Sequence, residues 1–321
     1  MAHLGIDLGG TKTALGIVSD RGVISSRTNF PSFPDNFEAY YIKLEEQIMS
    51  FLNFCGIAPE KLQTIGVGSA GQIELESGCI HFSPNLNWKE APLGKRLRDS
   101  FPQCTVTIDN DVRAATLGEY LFGFEKRPSS YVNVFLGTGI GSGIIINNRI
   151  LRGFSNSAGE VGQTTIKYDG PKAPNGNYGV YEYYASGTGL TRMARELNRT
   201  TPGCFGETTI DEKQITGHFV SEKAVQGNQA AIELIRKVGF FVGVGLTNVI
   251  NLLNPEVITY GGGLAQIGEM LTDAMFATIK ERAIPSAFAK TRILPTKAGS
   301  DAGIIGAAFL HLIDKDGNIA H

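Results

Sequence analysis

The sequence predicts an α/β protein built from two related halves, and three observations carry that prediction. One pattern occurs twice, at Gly5-Ile6-Asp7-Leu8-Gly9-Gly10-Thr11-Lys12 and at Leu136-Gly137-Thr138-Gly139-Ile140-Gly141. Each copy lies between two short apolar runs, and each second run ends in a polar tip, at 19–22 and at 147–149. The chain has 321 residues, which favours about two domains of ordinary size. Before the second copy the patterning reads β-β-β-α-β-α-β, the order of an α/β domain with a mixed sheet.

Taken in order, strands fill residues 3–28. Phe37, Tyr41, Leu44, Ile48 and Phe51 recur at helical spacing, so 37–54 is a helix. Residues 64–68 form a short buried strand that ends in the loop Ser69-Ala70-Gly71. A second, 106–108, ends at Asp109-Asn110-Asp111, and a helix follows over 113–122 with Asn110 or Asp111 as its N-cap. In the second half, a long apolar helix spans 228–253 and stops at Pro255. A strand at 256–260 leads to Gly261-Gly262-Gly263-Leu264 and then to a helix ending near Arg282. A last strand near 292–295 precedes a closing helix, Ile304 to Ile313, which is expected to return to the first domain. The predicted domains are therefore 1–111 plus 300–321, and 112–299.

Composition excludes several classes. The net charge of −2 and the lack of basic runs give no electrostatic reason to expect nucleic acid. The longest apolar stretch, 238–253, is too short and too polar to span a membrane. Cys55, Cys79, Cys104 and Cys204 form no Cys-x-x-Cys, so a disulfide framework or a cysteine zinc site is not expected. No signal peptide is expected either, and the predicted location is cytoplasmic. The histidines at 3, 81, 218, 311 and 321 show no metal-ligand spacing and are assigned no chemistry.

The 40 glycines follow no repeat, so they mark turns and close backbone approaches. At the two repeated turns, backbone N–H groups can approach an anion without a Cβ in the way. The turns are neither a P-loop, because Thr11 follows Gly10, nor a dinucleotide fingerprint, because Ser142 stands where the third glycine would fall. Two such notches suggest halves that face each other across a nucleotide. Lys12 adds a point charge suited to phosphate. Asp111, at a strand–helix junction, suits either a helix cap or a general base, and the residues alone do not choose.

With these residues in view, the chain resembles the ROK family of sugar kinases, particularly its bacterial glucokinase-like members. The resemblance rests on stretches in family order: 5–13, Pro84-Asn85-Leu86, 109–119, 136–143, Ala158-Gly159-Glu160-Val161-Gly162, 182–189 and 254–264. It implies two actin-like (ribonuclease H-like) domains with mixed sheets around a central cleft. It also implies ATP-dependent phosphorylation of a hexose 6-hydroxyl, with glucose the first substrate. Fructose, mannose or an N-acetylated amino sugar are alternatives, as is a sugar sensor without catalysis. A DNA-binding repressor is disfavoured, since only Met1 to Leu4 precede the first motif. Homodimers are common in the family.

By that resemblance Asp111 is the base, and Ser69, Gly71, Asn85, Asn110, Glu160, Gln163 and Glu182 contact the sugar. Gly9, Gly10, Thr11 and Lys12, with Gly137, Thr138 and Gly139, hold the phosphates of ATP. Gly261, Gly262, Gly263 and Leu264 lie under the adenosine, and Asp7 holds Mg²⁺ through water. The sequence departs from the family at Gln163, where many members have histidine, and the loop 164–181 has no cysteine or histidine. No structural zinc is therefore expected there. Asp109 is expected to be structural, Arg113 to lie on the helix surface or in a local ion pair, and Trp88 to pack or to wall the site.

Overall fold

The computed structural model describes residues 2–173, 176–207 and 209–320. The ends of the predicted first domain, Met1 and His321, and two residues of the loop 164–181 lie outside that range. The chain divides into two compact units: Met1–Ser130 with Gly143–Gly159 and Thr296–His321, and Tyr131–Ser142 with Glu160–Pro295.

The first unit opens with β1 (Ala2–Leu8), β2 (Lys12–Val18) and β3 (Ile24–Pro31), followed by α1 (Phe37–Phe54). β4 (Leu62–Ser69) comes next, then β5 (Gln72–Glu74), β6 (Cys79–Ser83), β7 (Trp88–Ala91) and α2 (Leu93–Ser100). β8 (Thr105–Asn110) and α3 (Asp111–Phe122) complete its long first segment. The main sheet has the order β3-β2-β1-β4-β8, antiparallel on the β2 side of β1 and parallel from β1 through β4 to β8. A separate antiparallel sheet, β5-β6-β7, and α2 were not read from the sequence.

In α1, Tyr40, Tyr41, Leu44, Ile48, Phe51 and Leu52 form one buried stripe, and the Asn36 side chain caps the first turn at the N–H of Ala39. The stripe meets Leu4, Ile6, Leu15, Ile17, Ile65 and Val67 of the sheet in one hydrophobic core. Trp88 is buried in that core, its ring 5.3 Å from Phe37 and 4.8 Å from Tyr40, so its role is packing.

The chain then forms β9 (Ser130–Leu136), β10 (Ile140–Ile146) and the two-residue β11 (Arg149–Ile150). The division between units falls within β10. The second unit continues with the helices α4 (Tyr181–Ala185), α5 (Gly187–Thr200), α6 (Gly217–Val225) and α7 (Gln229–Leu253). β12 (Val257–Gly261), α8 (Glu269–Arg282), α9 (Pro285–Phe288) and β13 (Arg292–Pro295) end it. The second sheet has the order β11-β10-β9-β12-β13, with β12 parallel to both β9 and β13. α7 is capped by Asn228 and ends at Asn254 in the left-handed conformation, with Pro255 next. No helix among the described residues is long and apolar enough to cross a membrane.

The last segment carries α10 (Ala302–Ala308). It is shorter than the predicted 304–313 helix: Phe309 leaves helical geometry at φ −106° and only a 3₁₀ turn, Leu310–Leu312, follows. α10 lies on β1 and β4 at Gly5 and Gly66, where any Cβ would fall inside the carbonyls of Ile304 and Ala307. Its other face meets α3, with Gly306 against the Ala114 carbonyl and Gly118 against that of Ala302. Backbone packs on backbone here, so no side chain can absorb an added methyl. Gly306→Ala should lower unfolding free energy by about 3 kcal/mol or more, measured by urea unfolding. Gly263→Ala should change it by less than about 0.5 kcal/mol, because that site has φ −61° and nothing within 4 Å of an added Cβ. Equal effects would contradict this packing.

Candidate functional site

In the first unit, four of the expected residues sit at the carboxyl ends of parallel strands. Asp7 is near the end of β1, Ser69 ends β4, Asn110 ends β8 and Asp111 opens α3. The register places Leu8 beside Ser69 and Ser69 beside Asn110, so the strand ends are adjacent. In open α/β sheets this is where ligands bind.

Asp7 and Asp111 are both half-buried. Burial, then the nearby Asp111 charge, pushes the Asp7 carboxyl up to about 6, against the opposing pull of Lys12. Burial also raises Asp111, partly offset by the N–H of Val112. Gly303 presses on Asp7, since a Cβ there would lie 3.0 Å from the carboxylate.

The structure decides the helix cap, which the sequence left between Asn110 and Asp111. Asn110 is the helix cap, its Oδ1 accepting from the N–H groups of Val112 at 3.0 Å and Arg113 at 3.2 Å. Asp111 occupies the first helical position, and its Oδ1 accepts the neighbouring Val112 N–H, at 2.9 Å. Behind this turn Asp109 is fully buried. It accepts from Asn110 N at 2.7 Å, from Arg113 Nε at 2.9 Å and from Arg152 Nη2 at 2.9 Å. Of its two expected placements Arg113 takes the local ion pair, with Asp109, rather than the helix surface: it is buried, and its Nη1 donates to the Asn156 carbonyl at 3.0 Å.

The first glycine turn is closed by Gly9 N–H donating to the Lys12 carbonyl at 3.1 Å. Ser32 holds its outer side, donating from Oγ to Gly9 O at 2.7 Å and from N to Thr11 O at 3.0 Å. Gly10 lies against Asn85, where a Cβ would be 2.9 Å from the Asn85 carbonyl. Lys12 is exposed. Gly71 has φ +126° and sits under the Phe82 carbonyl, which fixes the entry to β5.

In the second unit, Gly137 N–H donates to Gly139 O at 3.0 Å and closes the second turn. The start of α5 docks on it: Gly187 N donates to Gly137 O at 2.8 Å and Thr188 N to Thr138 O at 3.3 Å. Glu182 supports its back, accepting from Ile140 N at 2.7 Å and from Gln163 Nε2 at 3.4 Å. A Cβ on Gly139 would collide with that carboxylate. Glu160 is exposed and opens the 3₁₀ turn Val161–Gln163.

Gly262, with φ +96°, lies on the backbone of Leu136, so the 137–139 and 261–264 segments are neighbours. From these segments Gly137, Thr138, Gly263 and Leu264, but not Gly139, Gly261 or Gly262, line a cavity of about 600 Å³ together with Gly187, Thr188, His218, Ser221 and Gln266. That volume falls in the range of small-molecule sites. The sequence reading found Gly137, Thr138, Gly263 and Leu264 among its walls. It missed the α5 start, for which the cap Ser186 before Gly187-Thr188-Gly189 was the available signal.

The raised Asp7 carboxyl has a consequence for stability. Between the ordinary value of 3.8 and about 6, the folded chain binds a proton that the unfolded chain has released. Stability is therefore lost as pH rises through that window. Without ligand or metal, Asp7→Asn should be more stable than the unsubstituted chain by about 1–3 kcal/mol at pH 8, and nearly equal at pH 4. Urea unfolding at both pH values checks this, and a pH-independent difference would contradict it.

Comparison with known proteins adds identity to this geometry. The family model described as "ROK family" matches residues 3–313. A glucokinase from Streptomyces coelicolor is 32% identical over 316 residues, covering 96% of each chain. A xylose repressor from Caldicellulosiruptor bescii is 31% identical over 258 residues, which is 80% of this chain and 64% of the repressor. Among solved structures, a ROK family glucokinase from Streptomyces griseus in complex with glucose and AMPPNP gives a TM-score of 0.81 at 30% identity, over 96% of this chain and 98% of that one. The α/β architecture with mixed sheets and these matches lead to one conclusion: the chain belongs to the ROK family.

Proposed function

We propose that the protein transfers the γ-phosphoryl group of ATP to the 6-hydroxyl of a hexose, with glucose the leading substrate. The observation that carries this reading is the pair of half-buried carboxylates, Asp7 near the end of β1 and Asp111 just past the end of β8, on either side of β4 and close enough for one charge to act on the other, in a chain 32% identical to a glucokinase. Phosphoryl transfer needs a held phosphate chain, an aligned hydroxyl and a proton acceptor. Asp111 is the proton acceptor. Burial raises its basicity above that of a solvated aspartate, and Asn110 relieves it of capping the helix. Asn110, Ser69, Gly71 and Asn85 contact the sugar from the first unit. In the second unit, Glu160, Gln163 and Glu182 are the residues that the family resemblance assigns to sugar.

In the second unit the 137–139 turn takes phosphate and the cavity against 261–264 takes the nucleoside; in the first, the 9–12 turn is the phosphate-binding turn. Gly263 suits a flat base, since nothing lies within 4 Å of where its Cβ would be. Mg²⁺ fits Asp7, because a carboxylate whose charge is opposed by burial and by a neighbouring acid is relieved by a cation. When bound, the ion neutralises the β- and γ-phosphate charge. The reaction belongs in the cytoplasm, where ATP is available.

A sugar-sensing role without catalysis is the second reading, favoured by the xylose repressor that is 31% identical. The two are separated by coupled ADP release with Mg-ATP and a panel of hexoses, comparing the unsubstituted chain with Asp111→Asn. Sugar-dependent release should fall by about two orders of magnitude or more in the variant, while sugar-induced thermal stabilisation persists. No release with any sugar, alongside stabilisation by one, selects the sensor.

A further inference from the structure

Away from these residues, the β5-β6-β7 sheet carries chemistry that the proposed reaction does not use. Its inward face is apolar, with Ile73, Ile80 and Ala91 buried. Period-two alternation then sends Cys79 and His81 to the opposite face of β6. The register puts Glu74 across from Cys79 on β5. On β7, Glu90 falls across from His81, between the pairs Ile80↔Ala91 and Phe82↔Lys89. One solvent-facing patch therefore collects a thiol, an imidazole and two carboxylates.

The donors are already close. His81 Nδ1 lies 3.1 Å from each Glu90 carboxylate oxygen, and Cys79 Sγ lies 4.0 Å from Glu90 Oε2. One donor atom each from Cys79, His81 and Glu90 lies within 4.8 Å of the others. Metal–ligand bonds of roughly 2.0–2.3 Å in a tetrahedral site put donors roughly 3.3–3.6 Å apart, so shifts of about 1 Å would close the set. Glu90 also has φ +49°, a left-handed backbone unusual for glutamate, and such strain collects at ligand clamps. Glu74 is fixed by the N–H groups of Glu76 and Ser77 and adds negative charge beside the thiol.

We propose that Cys79, His81 and Glu90 bind one borderline divalent transition metal ion of the Zn²⁺ type, with solvent completing the coordination. One sulfur, one nitrogen and one oxygen donor favour Zn²⁺, Co²⁺ or Ni²⁺ over Mg²⁺ or Ca²⁺. The site lies in the first unit, whereas the cysteine-free loop 164–181 belongs to the second. Spacing along the chain concealed it, because Glu90 arrives across a hairpin. An ion here would brace β6 and β7, whose connection carries Asn85.

The test is a titration of the full-length, reduced, metal-free protein with Co²⁺ and then with Zn²⁺. One equivalent of Co²⁺ should give a thiolate-to-cobalt charge-transfer band that Zn²⁺ abolishes. Cys79→Ser should lose the band, and His81→Ala should weaken Zn²⁺ binding at least tenfold, with the metal-free variants melting like the unsubstituted chain. No band in the unsubstituted chain, or a band that survives in Cys79→Ser, would overturn the proposal. None of these readouts depends on kinase activity.

Discussion

The seat of α10 on β1, β4 and α3 is the constraint from which the first unit's geometry follows. Gly5, Gly66, Gly118 and Gly306 let backbone approach backbone with no side chain between. That contact fixes the sheet against α3 and brings Gly303 onto the Asp7 carboxylate. The same packing that gives order therefore desolvates the acid. Burial disfavours the charged form of both Asp7 and Asp111, a common arrangement at functional sites.

Around that pair, supporting charges are neutralised locally. Asp109 has both oxygens occupied by Arg113, Arg152 and a backbone N–H, and so sets the Asn110–Asp111 turn. Arg113 ties the turn to the Asn156 carbonyl, and Asn156 Nδ2 donates to Ile73 O at 3.0 Å. The turn that carries the proposed base is thereby anchored to the segment leading out of Gly71. In the second unit Glu182 has the corresponding duty, holding the 137–139 turn from behind through Ile140.

The sequence was most readable where one local signal decided the structure. α1 and α7 had long apolar stripes and clear ends, and both lie within a residue of their predicted bounds. The glycine turns announced themselves by repetition. The β5-β6-β7 sheet was missed because its strands are short and half their residues are polar. α10 was overextended because apolar residues continue past Phe309 after the helix has ended. Arg113 forms the local ion pair with Asp109 that was one of its two expected placements, while Arg152, which shares Asp109 with it, went unread because it is distant in sequence. Three-dimensional pairing, not residue type, held the missing information.

The account turns on the Asp7–Asp111 pair, and its electrostatics can be measured without any substrate. Carboxyl-carbon NMR titration of the metal-free chain should show an aspartate titrating near 6 that disappears in Asp7→Asn. The same resonance should move toward lower pH in Asp111→Asn, because the neighbouring charge is gone. An Asp7 resonance that titrates at the ordinary value of 3.8 and ignores the loss of Asp111 would contradict the desolvated pair on which the proposed chemistry stands.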